Sequence, residues 1–188
     1  YIETEVRLEQ KLSMDLNRKI DASNYGDNDL PLYPARTLIC HVALKGFQLG
    51  SVVSVCIIAP AVSMYRRQPI STTFRSIIPI ASLMGGSLSL ASLFAKYNKG
   101  DLNSNDAVDD RAYRIYRNEG QNKVDKYSFI GAIAGAAASI VVPSTSISLL
   151  LASASTGMAT GVLIYAGEKA ANHFNEKFFP PAVDRKDL

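Results

Sequence analysis

The 41 residues from Tyr127 to Gly167, YSFIGAIAGAAASIVVPSTSISLLLASASTGMATGVLIYAG, contain no Asp, Glu, Lys or Arg. About 20 apolar residues in a helix cross a hydrocarbon core of about 30 Å, so this run is long enough for two crossings. Its middle reads Pro143-Ser144-Thr145-Ser146. Proline disfavours helix in the residue before it and suits the first turn of a new one, which predicts a tight helical hairpin there. Two more charge-free runs of 20 residues lie upstream, Gly46 to Tyr65 and Ser76 to Ala95. A helix of a soluble bundle normally turns one face to water and carries charge on it, so runs this clean point to lipid. The expected fold class is therefore all-α membrane: a four-helix transmembrane bundle over residues 37–170, with a polar loop at 96–126. Residues 1–36 and 171–188 are polar extensions.

Inside the four expected spans, small residues recur every fourth position: Gly46, Gly50 and Ser54; Ala81, Gly85 and Ser89; Gly131, Gly135 and Ser139; Ser153, Gly157 and Gly161. Ser82 and Gly86 stand beside the second set. Spacing of four places them on one helix face, and a face of small residues lets two helix backbones approach closely. These twelve positions are the candidate helix-packing residues. Tyr65, Phe74, Phe94, Tyr97, Tyr127 and Tyr165 fall near the expected span ends, where an aromatic ring meets both lipid and water.

Charge sits elsewhere. Twelve charged residues occupy 1–36 and thirteen occupy 96–126. Residues 2–20 predict a short amphipathic helix, with Leu8, Leu12, Leu16 and Ile20 every fourth residue. Residues 21–36 form a turn-rich linker. In the polar loop, NDAVDDRAYRIYRNEG predicts a helix capped by Asn105 or Asp106 and ended by Gly120. It can hold an Asp110–Arg114 pair. Arg111, Arg114 and Arg117 form a stripe beside Tyr113 and Tyr116; it is either a solvated face or a docking surface for a partner subunit or anionic lipid headgroups. Arg66, Arg67 and Arg75, in a short loop without acids, are further docking candidates. Lys45 and His41 stand at the edge of the first span, where Lys45 can reach the interface. Glu168 to Phe179 extends the last helix until Pro180-Pro181 stops it.

Several functions are disfavoured. A net charge of +3 with mixed signs is unlike a nucleic-acid binder. Cys40 and Cys56, on one helix, would lie roughly 24 Å apart, too far for a disulfide. With His41 and His173 they do not make a metal-binding pattern. There is no HExxH, GxSxG, P-loop or paired-carboxylate arrangement, and no catalytic residue is expected.

The stretch DDRAYRIYRNEGQNKVDKYSFIGAIAG, Asp109 to Gly135, together with four Gly- and Ala-rich spans, resembles the Tim-type family of mitochondrial inner-membrane proteins. That family includes import-channel subunits, plastid amino-acid pores and an accessory subunit of respiratory complex I. Its signature places a basic residue and an aspartate before a Gly-xxx-Gly span, which maps onto Asp125, Gly131 and Gly135 here. Gln121 stands where the signature has arginine, and the cysteine pair of some import members is missing. The resemblance is strongest to the complex I accessory subunit. It implies a mitochondrial inner-membrane, multi-pass protein that contacts membrane-arm subunits of complex I and membrane lipids. It implies no nucleic acid, no small-molecule substrate and no cofactor beyond a structural phospholipid such as cardiolipin. Asp125 joins the docking candidates. The alternative is a translocase or solute-pore subunit, whose mark would be a polar stripe at membrane depth, for which Ser146, Ser148, Ser153, Ser155, Thr156 and Thr160 are available. The acid-free arginine loop favours the matrix or cytoplasmic side, but most of the Lys and Arg lie on the opposite side, spread among the 17 acids, so the two signals conflict and the orientation stays open.

Overall fold

The structure, a computed structural model, describes residues 16–19, 31–99, 105–142 and 146–178. Most of the expected amphipathic N-terminal helix, most of the linker, Pro143 to Thr145 and Pro180-Pro181 lie outside the described residues. Among the described residues all regular structure is helical.

Helix α1 spans Pro34–Arg66. Pro34 opens it, where the missing N–H costs nothing. The helix widens into a π-turn over Ser54–Ile58. Pro60 follows immediately; it cannot donate to Cys56 and its ring crowds that carbonyl, so an extra residue in the turn relieves the conflict. Arg67 ends α1 in the left-handed region, with φ 51° and ψ 34°. It is the one described non-glycine residue at positive φ. Gln68 N–H donates to the Ser63 carbonyl at 3.2 Å, and Ser63 Oγ donates back to the Gln68 carbonyl at 2.8 Å, so the turn is locked.

Helix α2 spans Ile70–Asn98 with Pro79 buried inside it. Helix α3 covers Asn105–Arg117, α4 Glu119–Ile140 and α5 Ile147–Phe178. The sequence reading ended the α3 helix at Gly120. The chain instead breaks at Asn118, whose Oδ1 accepts from the Gln121 N–H at 3.0 Å and caps α4. A side-chain cap outcompetes a glycine that sits two residues inside the next helix. The last quarter of the expected polar loop is thus the first two turns of α4.

Among the described residues three helices are long and apolar enough to cross a membrane: α1, α2 and α5 over Ile147–Asn175. Helix α4 carries Lys123, Asp125 and Lys126 in its first half, and its charge-free part runs only from Tyr127 to Ile140.

The helices pair as α1 with α2 and α4 with α5, and α5 also packs on α1 and α2. Both pairs touch through small residues. A Cβ on Gly50 would come within 2.7 Å of the Ala81 carbonyl oxygen, and one on Gly85 within 3.0 Å of the Gly50 Cα. Gly46 lies against Gly85 and Ser89. In the second pair, Gly131 lies against Gly157, Gly135 against Ser153, and Gly161 against Tyr127, each backbone to backbone. Ser54 and Ser139 are buried and bond the carbonyls of Ser51 and Ala136 in their own helices.

The distribution of residue types runs opposite to that of a water-soluble bundle. The interior holds Gln48, Ser51, Ser54, Thr73, Ser82 and Ser128 alongside small apolar residues. The outer surface carries Leu49, Ile57, Ile80, Met84, Leu88, Ile133 and Leu163, each at least 45% exposed.

Candidate functional site

One polar cluster joins the two helix pairs. Lys45 and Gln48 lie one turn apart on α1, and Asp125 and Ser128 one turn apart on α4, so each pair projects from a single face. Lys45 Nζ donates to Asp125 Oδ1 at 2.5 Å and to Gln48 Oε1 at 3.2 Å. Gln48 Nε2 donates to the same Asp125 oxygen at 2.8 Å and to Ser128 Oγ at 2.7 Å. Ser128 Oγ in turn donates to the Asp125 carbonyl at 2.9 Å. His41 Nδ1 stands 3.7 Å from the second carboxylate oxygen. Gln48 and Ser128 are fully enclosed, and the Asp125 side chain is 21% exposed. No buried side-chain polar atom among the described residues lacks a partner. A closed network of this kind fixes which faces of two helices meet, because any slip strands a charge.

A second clasp lies at the same end of the molecule. Arg18 grips Asp109 on α3 with both guanidinium nitrogens, Nη1 to Oδ2 at 2.9 Å, and Asp109 is buried. Arg36 on α1 donates to the Leu16 carbonyl at 2.9 Å and to Asn17, and lies over the Tyr33 ring. The short described piece at 16–19 is therefore stitched to both α1 and α3.

The docking candidates part company in space. Arg114 pairs with Asp110, at 3.0 Å, and Arg117 lies over the Tyr113 ring. Arg111 is half-buried, so the three arginines do not present one continuous stripe. Arg66, Arg67 and Arg75 are exposed at the opposite end of the molecule. Asp125 points inward into the cluster. Cys40 and Cys56 are exposed free thiols. Among the described residues no three His, Cys, Asp or Glu side chains converge as metal ligands.

The other notable feature is a groove of about 1210 Å³. Helix α5 is its floor, α4 one wall, and the first turns of α2 the other wall at one end. Its middle is apolar and small-residue-lined, with Ala134, Ala138 and Ala152. Arg75 stands at one end; Lys123, Lys126 and Glu168 stand at the other. Of the hydroxyls along it, Thr156 and Thr160 donate to carbonyls one turn back, at 2.7 and 2.9 Å, and Ser139 to one three residues back.

Three candidate membrane-spanning helices and a small-residue core define a helical protein whose described polar clusters are internal fastenings. Residues 28–166 match a family model described as "Protein of unknown function (DUF1757)", and the chain belongs to that family. No curated protein matches it.

Proposed function

We propose that α1, α2, α4 and α5 form a four-helix transmembrane bundle of the mitochondrial inner membrane, and that the chain is a non-catalytic accessory subunit of respiratory complex I that braces the membrane arm and supports its assembly. The observation that carries the membrane reading is the inverted distribution of side chains. Large apolar residues face out and hydroxyls and glycines face in, which suits a hydrocarbon solvent and is costly in water. Helix α4 then enters the bilayer with Lys123, Asp125 and Lys126 at the headgroup level, and its charge-free part from Tyr127 to Ile140, about 21 Å long, calls for local thinning of the bilayer.

The structural role is supported by where the polar groups spend their hydrogen bonds. The Lys45–Asp125 cluster closes on itself and, among the described residues, leaves no open chain of titratable groups along the bundle. The resemblance of Asp109 to Gly135 to the Tim-type signature supports the particular assembly. A translocase or pore subunit of that family is the second reading, favoured by the concavity of the groove. Against it, the hydroxyls of Thr156 and Thr160 are bonded to their own helix and do not offer a polar stripe to a passing chain.

The deciding experiment is extraction in mild detergent, native-gel separation and identification of the complex containing the chain. Comigration with NADH dehydrogenase activity at megadalton size is expected. Comigration with import components, in a band without that activity, would overturn the accessory-subunit reading.

A further inference from the structure

The groove's long α4 wall, from Lys123 to Ser139, measures roughly 24 Å at 1.5 Å per residue, more than half the thickness of a hydrocarbon core. Its apolar middle and its charged mouth call for one amphipathic occupant. Lys123 and Lys126 lie three residues apart on α4, so both ammonium groups serve the same mouth. Both are exposed, and neither forms an ion pair with a described residue. The carboxylate at that mouth, Glu168, accepts from the Tyr127 hydroxyl at 2.9 Å, which leaves the mouth with two cations against one anion. Below the mouth, Ala134 and Thr160 are exposed along the groove and offer no polar group to an occupant, since the Thr160 hydroxyl is already bonded to Thr156.

We infer that the groove is a binding site for one anionic phospholipid, with the headgroup phosphate held by Lys123 and Lys126 and the acyl chains lying along the α4–α5 face past Ala134. Charge complementarity at the mouth selects an anionic over a zwitterionic head. The small side chains of the walls give acyl chains a slot that annular lipid on the knobbly outer face of α2 lacks. This site rests on the bilayer placement proposed above and is independent of which complex holds the chain.

The test uses the full chain in nanodiscs of phosphatidylcholine doped with a photoreactive-acyl phosphatidylglycerol, or with the phosphatidylcholine version of the same probe, followed by peptide mapping. Phosphatidylglycerol should label the α4 segment around Ala134 in preference to phosphatidylcholine. The double variant Lys123→Gln/Lys126→Gln should lower that labelling on the order of 30-fold at limiting probe. Ala134→Phe, which fills the slot from an exposed position, should abolish it, and Arg75→Gln, at the other end, should leave it unchanged. Equal labelling by both lipids, indifferent to the lysines, would show only annular contact and overturn the inference. So would loss of labelling in Arg75→Gln alone, which would put the head in the other leaflet. If Ala134→Phe releases the chain from its native complex without changing lipid labelling, the occupant is a partner helix and the inference fails. Failure of the bilayer placement is distinguishable: the outer face of α2, at Leu83 and Leu88, would then also go unlabelled.

Discussion

The α4–α5 pair and the α1–α2 pair are both built on glycine set against main chain, yet only the second also sets a glycine against an aromatic ring. In α4–α5 each glycine faces main chain: a Cβ on Gly131 would meet the Gly157 carbonyl group, its carbon 2.9 Å away, and one on Gly135 the Ser153 carbonyl, its carbon also 2.9 Å away. In α1–α2 part of the contact is made by side chains. A Cβ on Gly86 meets the Phe47 ring, at 2.7 Å, and Ser51 Oγ meets Ser82 Oγ at 3.0 Å. Main chain in a helix cannot yield without parting the helices, whereas a ring can turn. The first pair is main chain on main chain throughout, whereas the second adds to the same main-chain contact at Gly46, Gly50 and Gly85 one place, Gly86, where the neighbour can turn.

The sharpest way to break this comparison is Gly131→Ala against Gly86→Ala. The first should cost about 3 kcal/mol or more and the second about 1 kcal/mol, from overpacking against unyielding and yielding neighbours. Thermal unfolding in detergent reads both. Equal losses would mean that the Phe47 ring yields no more than main chain does. Next comes the fastening between the pairs. Asp125→Ala strands Lys45 and frees Gln48, and should cost about 2–3 kcal/mol, the range for hydrogen bonds to a charged group. The Lys45→Met/Asp125→Leu double variant should recover much of that, because the two charges depart together. A double variant as unstable as the single ones would show that the cluster stabilises rather than specifies. Arg18→Ala leaves buried Asp109 without its guanidinium. About 2 kcal/mol of protection should be lost, and hydrogen exchange should report it in α3 and not in α5. The smallest effect is expected at the turn: Arg67→Gly removes the left-handed strain of a non-glycine residue and should stabilise by about 1 kcal/mol, visible as slower proteolysis of the α1–α2 loop.

The two joints were legible in the sequence because spacing of four is a local property of one helix, and Gly46, Gly50, Gly131 and Gly135 display it without any knowledge of their partners. The α1–α4 cluster was not. Lys45 and Asp125 are 80 residues apart, and each alone reads as an interfacial charge. Gln48 and Ser128 give no signal before their partners are known. The π-turn had a signal that went unread, since Pro60 in the middle of a charge-free run demands some local accommodation. The misplaced end of α3 came from weighing Gly120 above Asn118-Glu119, a cap and a first-turn acid that open a helix. Helix α4 is not among the three described helices long and apolar enough to cross a membrane, because the charges from Lys123 to Lys126 belong to the same helix as Gly131, which an unbroken apolar run does not reveal.

Helix α5 has 32 residues, roughly 48 Å at 1.5 Å per residue, against a hydrocarbon core of about 30 Å. From Ala166 to Asn175 every residue is exposed, and around Gly167 there is open space. The surplus length is a standoff. In the bilayer placement proposed above, the stiff helix carries Phe174 and Phe178, stacked one turn apart at a 4.4 Å centroid distance, clear of the hydrocarbon. Gly167, at the base of that rod, is its weakest helix former, and a Cβ there would meet nothing within 4 Å.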